Sequence, residues 1–317
     1  MKNNPILSAV LLTTLLASTA YSKTLSLPVV SKGYQHEFFQ TVKMGTEDAA
    51  KQLGVTTSFV GPADETQIAE QIQLLENTMA KNPDGILLAA LDANALAPLV
   101  ETANKNGIKV VTFDSGVNSS LPVSFVATNN VKAGAEAADA LAAEMGGKGK
   151  VGVVAHVAGT TSAIERTEGF AKQMKEKYPQ VTVLPVQYSD GDPQKAMDKT
   201  IDMVQANPDL AGIYATNEGS TLGVANAVDS LGIKGKVKVV GFDSTEAIIN
   251  FLKSGVIQGF VVQDAYQIGY QGIKALDDAI NGKTVAKVID IPVKYVSMKN
   301  VNEPAVDKLL HPFGKKK

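Results

Sequence analysis

The sequence predicts an α/β protein made of two doubly wound parallel-sheet lobes, and three observations carry that prediction. Short apolar runs alternate with amphipathic stretches along almost all of the 317 residues, which is the rhythm of βα units. Several of the runs, such as 85–90 (GILLAA), 151–155 (VGVVA) and 237–241 (VKVVG), are almost continuously apolar. Strands covered by helices on both faces look like that. Roughly ten strands would make one very large sheet, whereas a chain of this length ordinarily divides into about two domains.

In chain order, residues 1–22 read as a secretory leader. Lys2 and the α-amino group make a positive start, 6–17 is an uncharged apolar run, and Ser18, Ala20 and Ser22 supply small residues at a cleavage point, so that Lys23 opens the mature chain. The apolar run is well short of the roughly 20 residues that span a bilayer. No other run is long enough, so the mature chain is expected to be exported and soluble.

The first strand is expected at 24–30, where Pro28 is a conflict because proline cannot donate to a ladder. A helix at 37–53, a strand at 55–60 and a helix at 65–81 follow. In the last, Ile68, Ile72, Leu75 and Met79 recur at spacings of four, three and four, one stripe of a helix. Strand 85–90, helix 94–106 and strand 109–113 continue the alternation. It falters at 117–130, where a strand at 124–127 follows without an intervening helix, and this is the candidate first crossover between lobes. Helix 130–146, strand 150–155, helix 162–177, strand 181–187, helix 193–206, strand 211–215, helix 218–231, strand 237–241, helix 244–254, strand 257–262 and helix 265–281 then alternate regularly. One strand at 287–297 completes the set. Residues 301–317, polar and ending in three lysines, read as a loosely packed tail.

Composition narrows the function. Hydrophobic residues are 44% and charged residues 20% of the chain, the mix of a packed globular protein. The net charge is −2; without Lys2 the 30 basic residues become 29 against 32 acidic ones, net −3. No basic face for nucleic acid is implied. There is no cysteine, which removes disulfides, thiolate chemistry, Cys-ligated metals and a lipid tether at the cleavage point. The three histidines, His36, His156 and His311, form no i,i+4 pair for a metal, and no G-x-S-x-G elbow occurs. The run 146–150 (GGKGK) resembles a phosphate loop but precedes a strand, so it reads as a helix stop and turn. No cofactor is indicated. Asp114 and Asp243 could be imagined as an acid/base pair, but nothing in the sequence separates their pKa values.

In open α/β sheets ligands bind beyond the carboxyl ends of the strands. The residues there are His36, Phe38 and Phe39 after the first strand, Asp114 and Ser115 after 109–113, and Arg166 one turn into the helix after 150–155. Asn217 and Glu218 follow 211–215, Asp243 and Ser244 follow 237–241, and Gln263 and Asp264 follow 257–262. Singly each has a bland reading: Asp and Asn cap the next helix, a Phe pair packs in the core, and an Arg is solvated. Together they gather carboxylates, amides, a guanidinium and aromatic faces at one end of the strands. Each sugar hydroxyl is one donor and two acceptors; Asp accepts, Asn and Gln do both, Arg offers a rigid fork, and the C–H faces of a sugar pack on aromatic rings. The set suits a polyhydroxylated ligand.

These stretches resemble the ribose-type periplasmic sugar-binding proteins, the solute receptors of ABC importers. The similarity runs over 29–31 (VVS) with 36–39 (HEFF), 111–114 (VTFD), 127–130 (ATNN), 158–162 (AGTTS) with 165–170 (ERTEGF), 215–218 (ATNE), 239–243 (VVGFD), and Gln263 with 267–269 (QIG). The resemblance implies a type I periplasmic binding protein: two lobes joined by a three-crossing hinge near 127–129, 263–264 and 291–293. The N-terminal lobe would be 23–127 plus 264–292, and the C-terminal lobe and tail 128–263 plus 293–317. It further implies that Phe38 and Phe39 flank the sugar ring, that Asp114, Arg166, Asn217, Asp243 and Gln263 bond hydroxyls, and that Ser31 and His36 lie at the pocket wall. Partners would be a small sugar or polyol, an inner-membrane ABC permease and, optionally, a chemoreceptor, with the protein in the periplasm.

Three departures bear on the ligand. His36-Glu37 stands where the ribose pattern has Asn-Pro, Ser115 where it has Arg, and Gly191 where an aromatic precedes Asp192. Pentose, hexose, deoxysugar and cyclic polyol therefore all stay open. Two other classes remain beside a binding protein: the core of a sugar-responsive transcription regulator, and an enzyme on a doubly wound fold.

Overall fold

A computed structural model describes residues 23–314, so the leader read at 1–22 lies outside the described residues. The chain runs through β1 (Val29–Val30), α1 (Glu37–Leu53), β2 (Phe59–Val60), α2 (Ile68–Met79), β3 (Gly85–Leu88), α3 (Ala97–Lys105), β4 (Lys109–Phe113) and β5 (Ser124–Ala127). It crosses to α4 (Asn130–Met145), β6 (Lys148–Ala155), α5 (Thr161–Lys177), β7 (Gln180–Val183), β8 (Gln187–Tyr188), α6 (Pro193–Ala206) and β9 (Leu210–Ala215). There follow α7 (Glu218–Ser230), β10 (Lys238–Phe242), α8 (Glu246–Lys253) and β11 (Gly259–Gln263). It returns with α9 (Ala265–Ile280) and β12 (Val288–Asp290), and ends with β13 (Val293–Ser297) and α10 (Pro304–Leu310).

Two sheets result, each the centre of an α/β lobe. One has the order β12-β5-β4-β3-β1-β2 and is parallel throughout. The other has the order β13-β11-β10-β9-β6-β7, with β8 also on β6 and only β13 antiparallel. Apart from β8, the two orders are the same permutation of their own strands, so each lobe repeats the other's winding. Central strands such as β3 and β11 are buried along their whole length, which is why their sequences are apolar up to the polar Gln263 that ends β11.

Glycine sets the closest helix contacts. On Gly45 and Gly269, where α1 meets α9, and on Gly134 and Gly169, where α4 meets α5, an added Cβ would fall 2.1 Å from a carbonyl oxygen of the facing helix. Each lobe thus owes one tight helix pair to two residues without side chains. Helix starts are fixed locally: Asn129, Thr160, Asp192, Asn217, Thr245 and Asp264 each accept a bond from an N–H in the first turn that follows.

Four expectations need correction. The strand expected at 287–297 is two strands in two sheets, β12 on β5 and β13 on β11. Ile291 still donates to the Ala127 carbonyl, at 2.9 Å, and Pro292 next to it has no N–H to continue the ladder. The strand at 181–187 likewise breaks into β7 and β8 around Pro185. Helix α2 starts at Ile68 rather than 65, because the side chain of Asp64 takes the Thr66 N–H and hydroxyl in a turn and frees Glu65 to point elsewhere. The tail is not loose: α10 buries Val306 and Leu310 in the apolar cluster that holds Phe260 and Val296. These two apolar residues, four apart, outweigh the polar composition around them. Pro28 is accommodated just outside β1, its carbonyl still accepting from Leu87 N–H at 3.0 Å.

Candidate functional site

The two lobes present the same short signal at equivalent strand ends. β4 runs out through Phe113-Asp114-Ser115 and β10 through Phe242-Asp243-Ser244. Both aspartates are in the left-handed region, Asp114 at φ +54° and Asp243 at φ +63°, a conformation that Asp tolerates better than most side chains. Neither caps a helix: Thr245 caps α8, and β4 is followed by no helix of its own. Both carboxylates line one small cavity between the lobes.

Lys32, two residues beyond β1, is 2% exposed. Its Nζ lies 2.9 Å from Asp114 Oδ2 and 3.6 Å from Glu65 Oε1. It donates to Ser115 Oγ at 3.2 Å and, across the lobes, to Ser162 Oγ at 3.3 Å. Burial works against its charge, but Asp114 and then Glu65 outweigh burial and hold its pKa above the ordinary lysine value. His156 behaves oppositely. Burial, then Lys32 and Arg166, push its pKa well down, so it is a neutral ring bridging Thr216 Oγ1 (2.8 Å) and Ser162 Oγ (3.0 Å).

Arg166 lies over the Phe242 ring, its Cζ 3.8 Å from the ring centroid. Its Nε donates to Asn130 Oδ1 (2.8 Å), Nη1 to the Thr216 carbonyl (2.8 Å) and Nη2 to Gln263 Oε1 (3.1 Å). Gln263 passes the chain on, its Nε2 donating to Asp243 Oδ1 at 2.8 Å, and Asp243 Oδ2 accepts from the Glu218 N–H at 3.1 Å. Burial pushes the Asp243 carboxyl up to about 6, against Arg166 and the Gln263 bond, which favour ionisation.

Glu218, the first residue of α7, reaches across to the other lobe. Its two carboxylate oxygens accept the N–H groups of Glu37 and Phe38, both at 3.1 Å, and His36 Nδ1 lies 3.5 Å away. His36 is 5% exposed. Burial opposes its protonation, but the Glu218 contact and the nearby Glu65 outweigh burial and raise its pKa.

Eight of the ten sequence-predicted residues line the cavity together: His36, Phe38, Phe39, Asp114, Arg166, Asn217, Asp243 and Gln263. Phe38 and Phe39 meet edge to face, centroids 5.1 Å apart. Asn217 fits both readings made of it, since its Oδ1 caps α7 while the side chain also faces the cavity. Ser31 and Ser115 are not lining residues. Ser31 Oγ donates to the Gly33 carbonyl (2.9 Å) and shapes the turn that carries Lys32. Ser115 Oγ bonds Lys32, Asp114 and Ser162 and braces them from behind. The sequence reading overlooked Lys32 and Glu65, gave His156 no role, and placed Glu218 at a strand end without assigning it a contact. The available signal was position alone, because all four come from loops or helix starts at carboxyl ends of strands.

The arrangement is a polar enclosure with two firm cations, Lys32 and Arg166, facing four carboxylates. The carboxylates outnumber these cations, so such a lining disfavours an anion and favours an uncharged guest rich in hydrogen-bond donors that can also accept from Lys32 and Arg166. A wider groove between α1, α9 and α10 shares Phe38, Asp243 and Gln263 with the cavity, so these side chains stand between the interior and the outside.

Comparison with known proteins agrees in extent and shape. Residues 27–284 match the family model described as periplasmic binding protein domain. The chain is 32% identical over 273 residues to the D-allose-binding periplasmic protein of Escherichia coli K12, covering 84% of this chain and 88% of that one. It superimposes with a TM-score of 0.88 on a carbohydrate transporter solute-binding protein of Agrobacterium radiobacter in complex with D-arabinose, at 34% identity and covering 91% and 99% of the two chains. The same score relates it to an ABC transporter solute-binding protein of Agrobacterium vitis bound to α-D-tagatopyranose, at 32% identity and covering 90% and 99%.

Proposed function

The chain belongs to the periplasmic binding protein domain family, and from that premise we propose that it is a sugar receptor of an ABC importer, not an enzyme. It captures a monosaccharide or related polyol between its lobes and delivers it to an inner-membrane permease. The observation that carries this reading is the cavity itself, where side chains of both lobes converge on one space. Asp114 and Asp243 accept from hydroxyls, Asn217 and Gln263 both donate and accept, the free end of Arg166 donates, and Phe38 and Phe39 take the apolar ring face. Relatives named for allose, and structures holding arabinose and tagatose, support the ligand class.

The hinge of this reading lies at 127–129, 263–264 and 291–293, where the chain leaves one sheet for the other, so the N-terminal lobe is 23–127 plus 264–292. A ligand that touches both lobes binds the closed form better and shifts the population toward it. The permease reads that closed shape, and a chemoreceptor would read the same one. The setting is the periplasm, reached through the leader at 1–22.

A thermal-shift screen of 23–317 against pentoses, hexoses and polyols tests the reading. A ligand that binds only the native state adds about 2.7 kcal/mol at 100 times its dissociation constant. At least one monosaccharide should raise Tm in this way. A panel in which no sugar or polyol moves Tm at millimolar concentration would contradict it.

A further inference from the structure

Two buried polar atoms of the cavity have no partner among the described residues: His36 Nε2 and Glu65 Oε2. Both side chains are well over nine-tenths buried, His36 at 5% exposure and Glu65 at 2%. A buried polar atom without a partner is costly, so two of them in one cavity need an explanation. They also converge. A Cβ added to Gly191 would lie 3.0 Å from Glu65 Oε2, 3.3 Å from His36 Nε2 and 3.5 Å from Asn217 Nδ2. Gly191 has φ +72°, and its carbonyl is packed on Gly219, where a Cβ would sit 1.9 Å from that oxygen. The backbone is therefore pinned, and the gap above it stays open for something that is not a side chain of this protein.

The atoms around the gap state what belongs there. Glu65 Oε2 needs a donor. Asn217 Nδ2 is a donor, because its Oδ1 is taken by the Ser220 N–H. His36 presents its free ring nitrogen, the other nitrogen facing Glu218. A group that gives one hydrogen and accepts others fits all three, and a hydroxyl is that group. A C–H face would leave each of them unsatisfied, and an anion would meet Glu65.

Resting on the sugar-binding reading above, we propose that Glu65, His36 and Asn217 form a specificity subsite over Gly191 for one hydroxyl that stands out of the sugar ring plane, axial on the ring or at the end of a hydroxymethyl arm. Phe38 and Phe39 take the ring from one lobe, and Gly191, from the other, leaves room for the projecting group. The ligand is then an uncharged monosaccharide that is not flat on its Gly191 side.

The test uses the mature chain and the monosaccharide that raises its Tm most, together with that sugar's monodeoxy analogues and the analogue lacking the hydroxymethyl arm, by titration calorimetry. One analogue should lose at least about tenfold in affinity for the wild type, the consequence of leaving buried polar groups unpaired. Against Glu65→Gln the parent sugar should weaken by about tenfold, and that one analogue should bind as well as the parent, whereas the other analogues keep their wild-type losses. The proposal is overturned if every analogue keeps its wild-type loss in the variant, or if Glu65→Gln binds the parent as tightly as wild type. Should Glu65→Gln fail to fold, His36→Gln carries the same comparison with the same two outcomes. Wild type that binds the parent while these couplings are absent leaves the receptor reading standing and removes the subsite; wild type that binds no sugar removes both.

Discussion

Arg166 spends three of its five N–H groups on the protein, on Asn130, Thr216 and Gln263, which leaves one on each terminal nitrogen for a ligand. Its removal therefore acts twice. Arg166→Ala should weaken sugar binding and also cost about 3–5 kcal/mol of stability, because Asp243 and Gln263 stay buried without it. Calorimetric unfolding should show Tm lower by about 2–4 °C per kcal/mol; an unchanged Tm would contradict the network. A pH profile tests the ionisable pair at the same scale. The raised pKa of Asp243, about 6, means that stability present below the ordinary carboxylate range is lost as pH rises through 6. A hydroxyl donated to the ionised group relieves that cost, so affinity should climb through the same window. His36, its pKa raised chiefly by Glu218 and Glu65 against burial, favours the closed form below its ordinary value and loses that contribution as pH rises through the raised one. Affinity from about pH 5 to about pH 9 should pass through a maximum, with Asp243→Asn removing the acid limb and His36→Gln the alkaline limb; a flat profile would contradict both assignments. At this scale the sequence disclosed residues that follow strands directly, such as Asp114 and Asp243. It hid Lys32 and Glu65, whose orientation depends on turns made by Ser31 and Asp64 rather than on any periodic pattern.

Helix α1 shows what an element adds. Its N-cap residue, His36, makes no side-chain cap bond, and its first two N–H groups are taken instead by Glu218 from the other lobe. A helix start completed across the cleft is completed only when the lobes meet, so this cap contributes to closure. Caps are worth about 0.5–2 kcal/mol. Glu218→Ala should accordingly lower sugar affinity about 2- to 30-fold, while Glu218→Gln, which keeps an acceptor, should lose less. Equal affinities for wild type and Glu218→Ala in calorimetry would contradict a role in closure. Strands and helices with strong periodicity were legible, as α2 was from Ile68, Ile72, Leu75 and Met79. Boundaries set by single prolines were not. Pro185 and Pro292 divide apolar stretches that read as continuous strands, and α10 escaped notice because only Val306 and Leu310 mark its buried side.

On the scale of the whole molecule, two lobes with one winding meet over a shared polar cavity, and the chain passes from one sheet to the other between β5 and β6. The central claim is that a sugar held by Asp114 from one lobe and by Arg166, Asn217 and Asp243 from the other draws the lobes together. Small-angle scattering of the mature protein, alone and with its best monosaccharide at saturation, tests this most directly. The account predicts a smaller radius of gyration with sugar, and no such change in an Asp243→Ala variant at the same concentration. Identical scattering curves with and without a sugar shown by calorimetry to be bound would contradict it.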